Sequence, residues 1–239
     1  MASQTLTEAR AQSVVLVGPS GEGYSCGLGR YDRQEEMVCS RHVYRTPDGD
    51  YSLWWAHGSW YVNTSSSVGG RSGFLTATEN TDVPEDVAAA WRTAAEGNRW
   101  VDVPSVRCLT LTEHEAMVAQ ALEPSAATVY LSGATPDGMN GFVVGAYTRR
   151  DDAPLTNDRY TYIFAASAAG PLLMWWSDGS WYVGGPDDVG TRRGVVAAID
   201  EAHMPESIAS TWLVAGPSGF VDAPDLACTL TPSEGGEGG

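Results

Sequence analysis

The chain has 239 residues, 43% of them apolar, and carries 30 acidic against 14 basic side chains, a net charge of -16. The apolar fraction supports a packed core and argues against wholesale disorder; the acidic balance excludes phosphate-backbone recognition, so no nucleic-acid partner is expected. Every basic residue is an arginine, which removes Schiff-base chemistry, a lysine general base and a P-loop lysine from consideration.

In chain order, the start MASQTLTEARAQ is polar and has no apolar h-region. It reads as an intracellular, cytoplasmic protein without a secretory signal. No apolar run approaches the roughly 20 residues of a membrane span. VVLVG (14–18) is the first predicted strand. Gly18 to Ser25 then has the glycine spacing of a phosphate loop, but Tyr24 stands where the lysine belongs, so a turn is expected. Residues 28–31 and 42–45 read as strands. LWWAHGSWYV (53–62) reads as two aromatic strands around a tight His57-Gly58 turn. Asn63-Thr64-Ser65 matches a glycosylation sequon and is read as a chance match. Asp82-Val83-Pro84-Glu85 looks like a capped start of a short helix running through VAAAW to Trp91. Residues 100–103 and 106–109 read as closing strands, the last holding Cys108.

The order then repeats. VYLSG (129–133), Gly145-Ala146-Tyr147, Thr161-Tyr162, MWWSDGSWYV (174–183), Pro205-Glu206, Trp212, FVDAP (220–224) and Cys228 follow their first-copy counterparts at offsets between 115 and 121. So many landmarks in one order mark an internal duplication. TEHEAMVAQALEPSAA, between the copies, has moderate helix propensity and Pro124 as a stop. The expected organisation is a β module over 1–112, a helical linker over 113–127, a second β module over 128–232, and a flexible, acidic, Gly-rich tail over 233–239. The leader Thr110-Leu111-Thr112-Glu113 echoes Thr5-Leu6-Thr7-Glu8, and Thr229-Leu230-Thr231 begins it again, as in a segment of a longer array. The fold class expected is mainly β: two homologous antiparallel modules in tandem, each of about five to seven strands with one short helix.

Period-two alternation sorts the aromatic hairpins into faces. A two-residue turn places Trp55 opposite Trp60 and Trp54 opposite Tyr61, and likewise Trp176 opposite Trp181 and Trp175 opposite Tyr182. Leu53, Trp55, Trp60 and Val62 form a core face with Met174, Trp176, Trp181 and Val183 as counterparts. Trp54 with Tyr61, and Trp175 with Tyr182, fall on the reverse face. These four are the candidate binding residues, as stacking platforms for a ring or an apolar partner surface. The competing reading is a second buried layer beneath the helix carrying Trp91 or Trp212.

The succession Gly-x-Tyr, Val-Tyr, Leu-Trp-Trp, Trp-Tyr-Val, Pro-Glu, Trp and Pro-x-x-x-Cys resembles repeats in proteins of unicellular algae and other protists, over nearly the whole chain. The resemblance implies a repeated β-rich module used for binding or assembly. It assigns no catalytic residue. Copy two departs from copy one between Tyr147 and Trp175, where its chain is longer.

Other chemistry is thin. His114-Glu115 begins like a zinc-protease helix, but Val118 replaces the second histidine. Cys26, Cys39, Cys108 and Cys228 contain no C-x-x-C pair and read as free thiols. Asp151-Asp152 and Asp187-Asp188 read as solvated loop acids rather than calcium ligands. No metal or cofactor is assigned. The expected function is a non-enzymatic scaffold acting through a protein partner or self-association. The alternatives are a glycan- or small-ligand-binding protein and, third, an enzyme with a site between the modules.

Overall fold

The computed structural model describes residues 11–19, 23–95 and 99–232. The leader at Thr5, part of the glycine-rich turn after Gly18 and the predicted tail over 233–239 lie outside the described residues. The chain divides into two compact units between Met117 and Val118. Among the described residues no helix is long and apolar enough to cross a membrane.

Unit 1 is a single antiparallel sheet of nine strands: β1 Ser13–Val17, β2 Gly29–Val38, β3 Arg41–Arg45, β4 Tyr51–Ala56, β5 Ser59–Thr64, β6 Leu75–Ala77, β7 Arg92–Ala95, β8 Arg99–Asp102 and β9 Arg107–Thr110. The order across it is β8-β7-β6-β5-β4-β3-β2-β1-β9. Unit 2 repeats this arrangement with β10 Thr128–Ser132, β11 Gly145–Arg149, β12 Tyr162–Phe164, β13 Leu172–Ser177, β14 Ser180–Gly184, β15 Val196–Ile199, β16 Trp212–Gly216, β17 Gly219–Ala223 and β18 Ala227–Thr229. The two predicted β modules are therefore present, with nine strands apiece among the described residues instead of five to seven.

Each sheet must curl. Its two edge strands are consecutive in the chain, joined only by residues 103–106 or 224–226. Laid flat, nine strands would hold those edges about 38 Å apart at the usual spacing. The connectors reach at most about 14–18 Å. Closure is visible at Gly133, beyond β10: with φ at +109°, it lies so close to the connector that a Cβ would fall 1.8 Å from the Asp225 carbonyl oxygen. Only glycine fits there.

Curling leaves an inner face that closes on its own side chains. Across unit 1 the register aligns Tyr44, Leu53, Val62 and Leu75; across unit 2 it aligns Tyr162, Met174, Val183, Val196 and Val214. Trp60, Trp91, Trp181 and Trp212 fill the same interiors. The hairpins pair as expected, Trp54 with Tyr61 and Trp175 with Tyr182. Their turn residues His57-Gly58 and Asp178-Gly179 all have positive φ, the two-residue turn whose twist matches the strands.

The short helix of each module is one 3-10 turn, Pro84–Asp86 or Pro205–Ser207. It does not run on to the tryptophan: Trp91 precedes β7 and Trp212 opens β16. Burial decides this. Both indoles are sunk in the sheet interior, which an extended chain reaches and an outer helix does not. A carboxylate also holds the segment open, Glu79 accepting from the Ala88 and Ala89 N–H groups and Asp200 from those of Ala209 and Ser210.

The predicted linker helix is α1, Leu111–Leu122. It starts where Thr110 and Glu113 exchange hydrogen bonds, the Glu113 carboxylate accepting from the Thr110 N–H at 2.9 Å and Thr110 Oγ1 accepting from the Glu113 N–H at 3.2 Å. It stops two residues before Pro124, as the restricted backbone ahead of proline requires.

Candidate functional site

The four reverse-face aromatics form two matching stacked pairs. Trp54 and Tyr61 have ring centroids 6.0 Å apart, Trp175 and Tyr182 6.1 Å, with nearly equal interplanar angles. They are not open platforms. Trp54, Trp175 and Tyr182 are buried, and only Tyr61 is partly exposed. The loop after β5 closes over Trp54, whose indole N–H donates to the Gly70 carbonyl at 3.1 Å. The loop after β14 closes over Trp175 through the Thr191 carbonyl at 2.8 Å. The second buried layer is thus real, but loops cover it rather than a helix carrying Trp91 or Trp212.

Sequence reading passed over two arginines that pack on the inner-face tryptophans of the same hairpins. Arg41 and Arg159 stand three residues before Tyr44 and Tyr162. Each stacks its guanidinium 3.7 Å from an indole centroid, Arg41 on Trp55 and Arg159 on Trp176. Each also donates to carbonyls of the loop after β6 or β15: Arg41 to Thr81, Arg159 to Glu201 and Ala202. Burial lowers the pKa of Arg159 to about 10. The signal was available, because both arginines share the offset of the neighbouring tyrosines.

The units differ beside these pairs. In unit 1, β3 and β4 place Arg45 opposite Ser52. Ser52 Oγ lies 2.8 Å from Ser65 Oγ, which donates to the Gly49 carbonyl at 2.6 Å, and Arg45 pairs with Glu36 on the long strand β2. Polar side chains thus occupy this part of the outer face, although Arg45 Nε is buried without a hydrogen-bond partner. In unit 2 the matching strands place Ile163 opposite Leu173. Strand β11 ends at Arg149, and residues 150–161 loop away. A groove of about 480 Å³ opens, floored by Ile163, Leu173 and Val189, walled by Pro171 and Pro186, with Arg149, Arg150 and Asp152 at its rim. Its floor is continuous with the cluster of Trp175 and Tyr182.

Its rim is charged but balanced. Arg149 donates to Asp151 at 2.6 Å and to the Ser125 carbonyl, and its guanidinium lies 4.5 Å from the Tyr160 ring centroid. The Asp151 hydrogen bond raises its pKa. Arg150 is 3.9 Å from Asp152 and is the looser of the two. A volume near 480 Å³ suits an apolar side chain or a small ligand.

The remaining motifs resolve into structure. All four cysteines are free thiols. Burial drives the Cys108 thiol pKa well up, and that of Cys228 to about 12, so neither is an activated nucleophile. His114 is buried on α1. Among the described residues no three His, Cys, Asp or Glu side chains gather as metal ligands. Asn63 of the sequon uses its side-chain amide to donate to the Ser72 carbonyl.

Against protein-family models, curated proteins and solved structures, the chain has no match.

Proposed function

We propose that the chain is a tandem β module that works by binding or assembly through protein contacts, and that the unit 2 groove is its contact surface. The observation that carries the reading is the groove itself, an apolar floor where unit 1 carries the polar Arg45–Glu36 and Ser52–Ser65 contacts over the same strands. An interior kept in duplicate beside an exterior changed in one copy fits a scaffold with one specialised face. Stacking of a sugar on the reverse-face tryptophans receives no support from their geometry, because loops cover both.

A photoreactive amino acid in place of Ile163, compared with the same residue in place of Arg45, tests the reading in extract of the source cell. Polypeptide adducts from residue 163 alone are the expected result. Equal labelling from both, or adducts only with small molecules, overturns it.

A further inference from the structure

Resting on that reading, we infer that the groove of unit 2 receives the β2–β3 hairpin of unit 1 from a second copy of this chain. The hairpin is the outstanding difference on the other side of the duplication. Strand β2 has ten residues where β11 has five. Its pairing with β3 is interrupted after Arg33 and resumes at Met37 and Val38. Cys39 and Ser40 then make a tight turn with both φ values positive. On this projection Glu35 and Glu36 are exposed, and Met37 is 55% exposed, a large apolar side chain held in solvent.

Three features match hairpin to groove. First, the floor offered by Ile163, Leu173 and Val189 takes an unbranched, adaptable side chain such as methionine. Second, the exposed Glu35 stands two residues before Met37, and Arg150, held only loosely by Asp152 at 3.9 Å, stands at the groove rim. Third, the same hairpin already covers this kind of surface within its own unit. Val38 packs on the reverse-face cluster of Val43 and Trp54, with a methyl 3.9 Å from where Gly69 would carry a Cβ. In unit 2 the matching Gly190 meets the Thr156 methyl instead, and the adjoining groove stays open. Each chain then has one knob on unit 1 and one hole on unit 2. Such a contact is heterologous, and it propagates head to tail into a ring or a filament.

Sedimentation of the full chain tests this with two variants, Met37→Asp for the knob and Ile163→Arg for the groove. The wild type is expected to gain mass with concentration. Each variant alone is expected to associate at least about tenfold more weakly. Mixed, they should form a 1:1 complex that stops, because Ile163→Arg keeps its knob and Met37→Asp keeps its groove. Should Ile163→Arg unfold, Arg150→Glu and Glu35→Arg replace the pair: both weakened alone, association restored on mixing. Loss of association in Ile163→Arg or Arg150→Glu with Met37→Asp and Glu35→Arg unaffected overturns the hairpin as occupant and leaves the groove as a contact surface. Association insensitive to all four variants overturns the groove as well. A wild type that stays monomeric at millimolar concentration overturns the self-contact, and the Ile163 crosslink then decides the groove alone.

Discussion

Unit 1 and unit 2 keep one interior and two exteriors. Inside, Tyr31 and Tyr147 each donate from a buried hydroxyl to a carbonyl four residues back, at 2.8 and 2.6 Å, and the tryptophans sit in the same registers. Outside, Arg45–Ser52 has become Ile163–Leu173, and a ten-residue strand has become a five-residue strand with a loop. The difference follows from packing. Inside a curled sheet every side chain meets several neighbours from other strands, so a change at one site strands the rest. On the outer face a cross-strand pair answers mainly to its partner, so a whole pair can change together.

That comparison can be broken by experiment. The largest effect should come from the covered indoles. Trp54→Ala and Trp175→Ala should each remove about 3–5 kcal/mol from their own unit. Calorimetry of the full chain should show equal losses; a much smaller loss in either unit would mean that its reverse-face layer is not packed as described. Next comes the closure glycine. Gly133→Ala combines a positive φ with a backbone clash and should cost about 3 kcal/mol. The matching Gly18 has no positive φ, and a Cβ there would press a Val106 methyl at 2.9 Å and touch the Leu28 methyls at 3.5 Å, all side-chain atoms, so Gly18→Ala should cost about 1 kcal/mol in urea titrations. Equal costs would contradict the different approach of the two connectors.

Smaller effects sharpen the picture. Burial alone would raise the pKa of Asp200, but hydrogen bonds from the Ala202, Ser210 and Ala209 N–H groups outweigh it and hold the carboxyl below its ordinary value. The folded state therefore binds this proton less readily than the unfolded one. The stabilisation is present above the ordinary carboxyl range and is lost as pH falls through and below it. Protection of the Ala209 and Ser210 amides against hydrogen exchange, relative to the unstructured rate at each pH, should fall as pH drops below the ordinary carboxyl range, and Asp200→Asn should remove the pH step. The smallest change is at the hairpin tips. Asp178 pairs with Arg192 at 3.0 Å, whereas His57 accepts from Arg71 at 2.8 Å in the matching place. His57→Asp should install the ion pair in unit 1 and stabilise it by about 0.5 kcal/mol, as exposed pairs do. Aspartate tolerates the φ of +52° found there. A neutral or negative change in denaturant midpoint would show that the loop is not held from this tip.

Legibility in the sequence tracked locality. The aromatic hairpins were readable because turn chemistry and period-two alternation act within ten residues of chain. Strands β6 and β7 were missed because LTA and RTAA are short and have no alternation strong enough to mark them. The run from Pro84 to Trp91 has helical propensity, yet the demand for Trp91 inside the sheet overrode it. The aromatic pairs were placed on the correct face, but their cover was not foreseen, since it depends on carbonyls at Gly70 and Thr191 sixteen residues away in sequence. The groove escaped notice because Ile163 and Leu173 meet only through strand register.

Repetition, hairpin register, the division of the aromatic strands into two faces and the presence of a helix between the copies were determined by residue order alone, because each rests on neighbours close along the chain or on self-similarity that needs no geometry. Curling of each sheet, the lids over the tryptophans and the opening of a groove in one unit were decided only by tertiary structure. Those depend on which distant segments arrive at the same surface, and a linear pattern carries no record of that arrival.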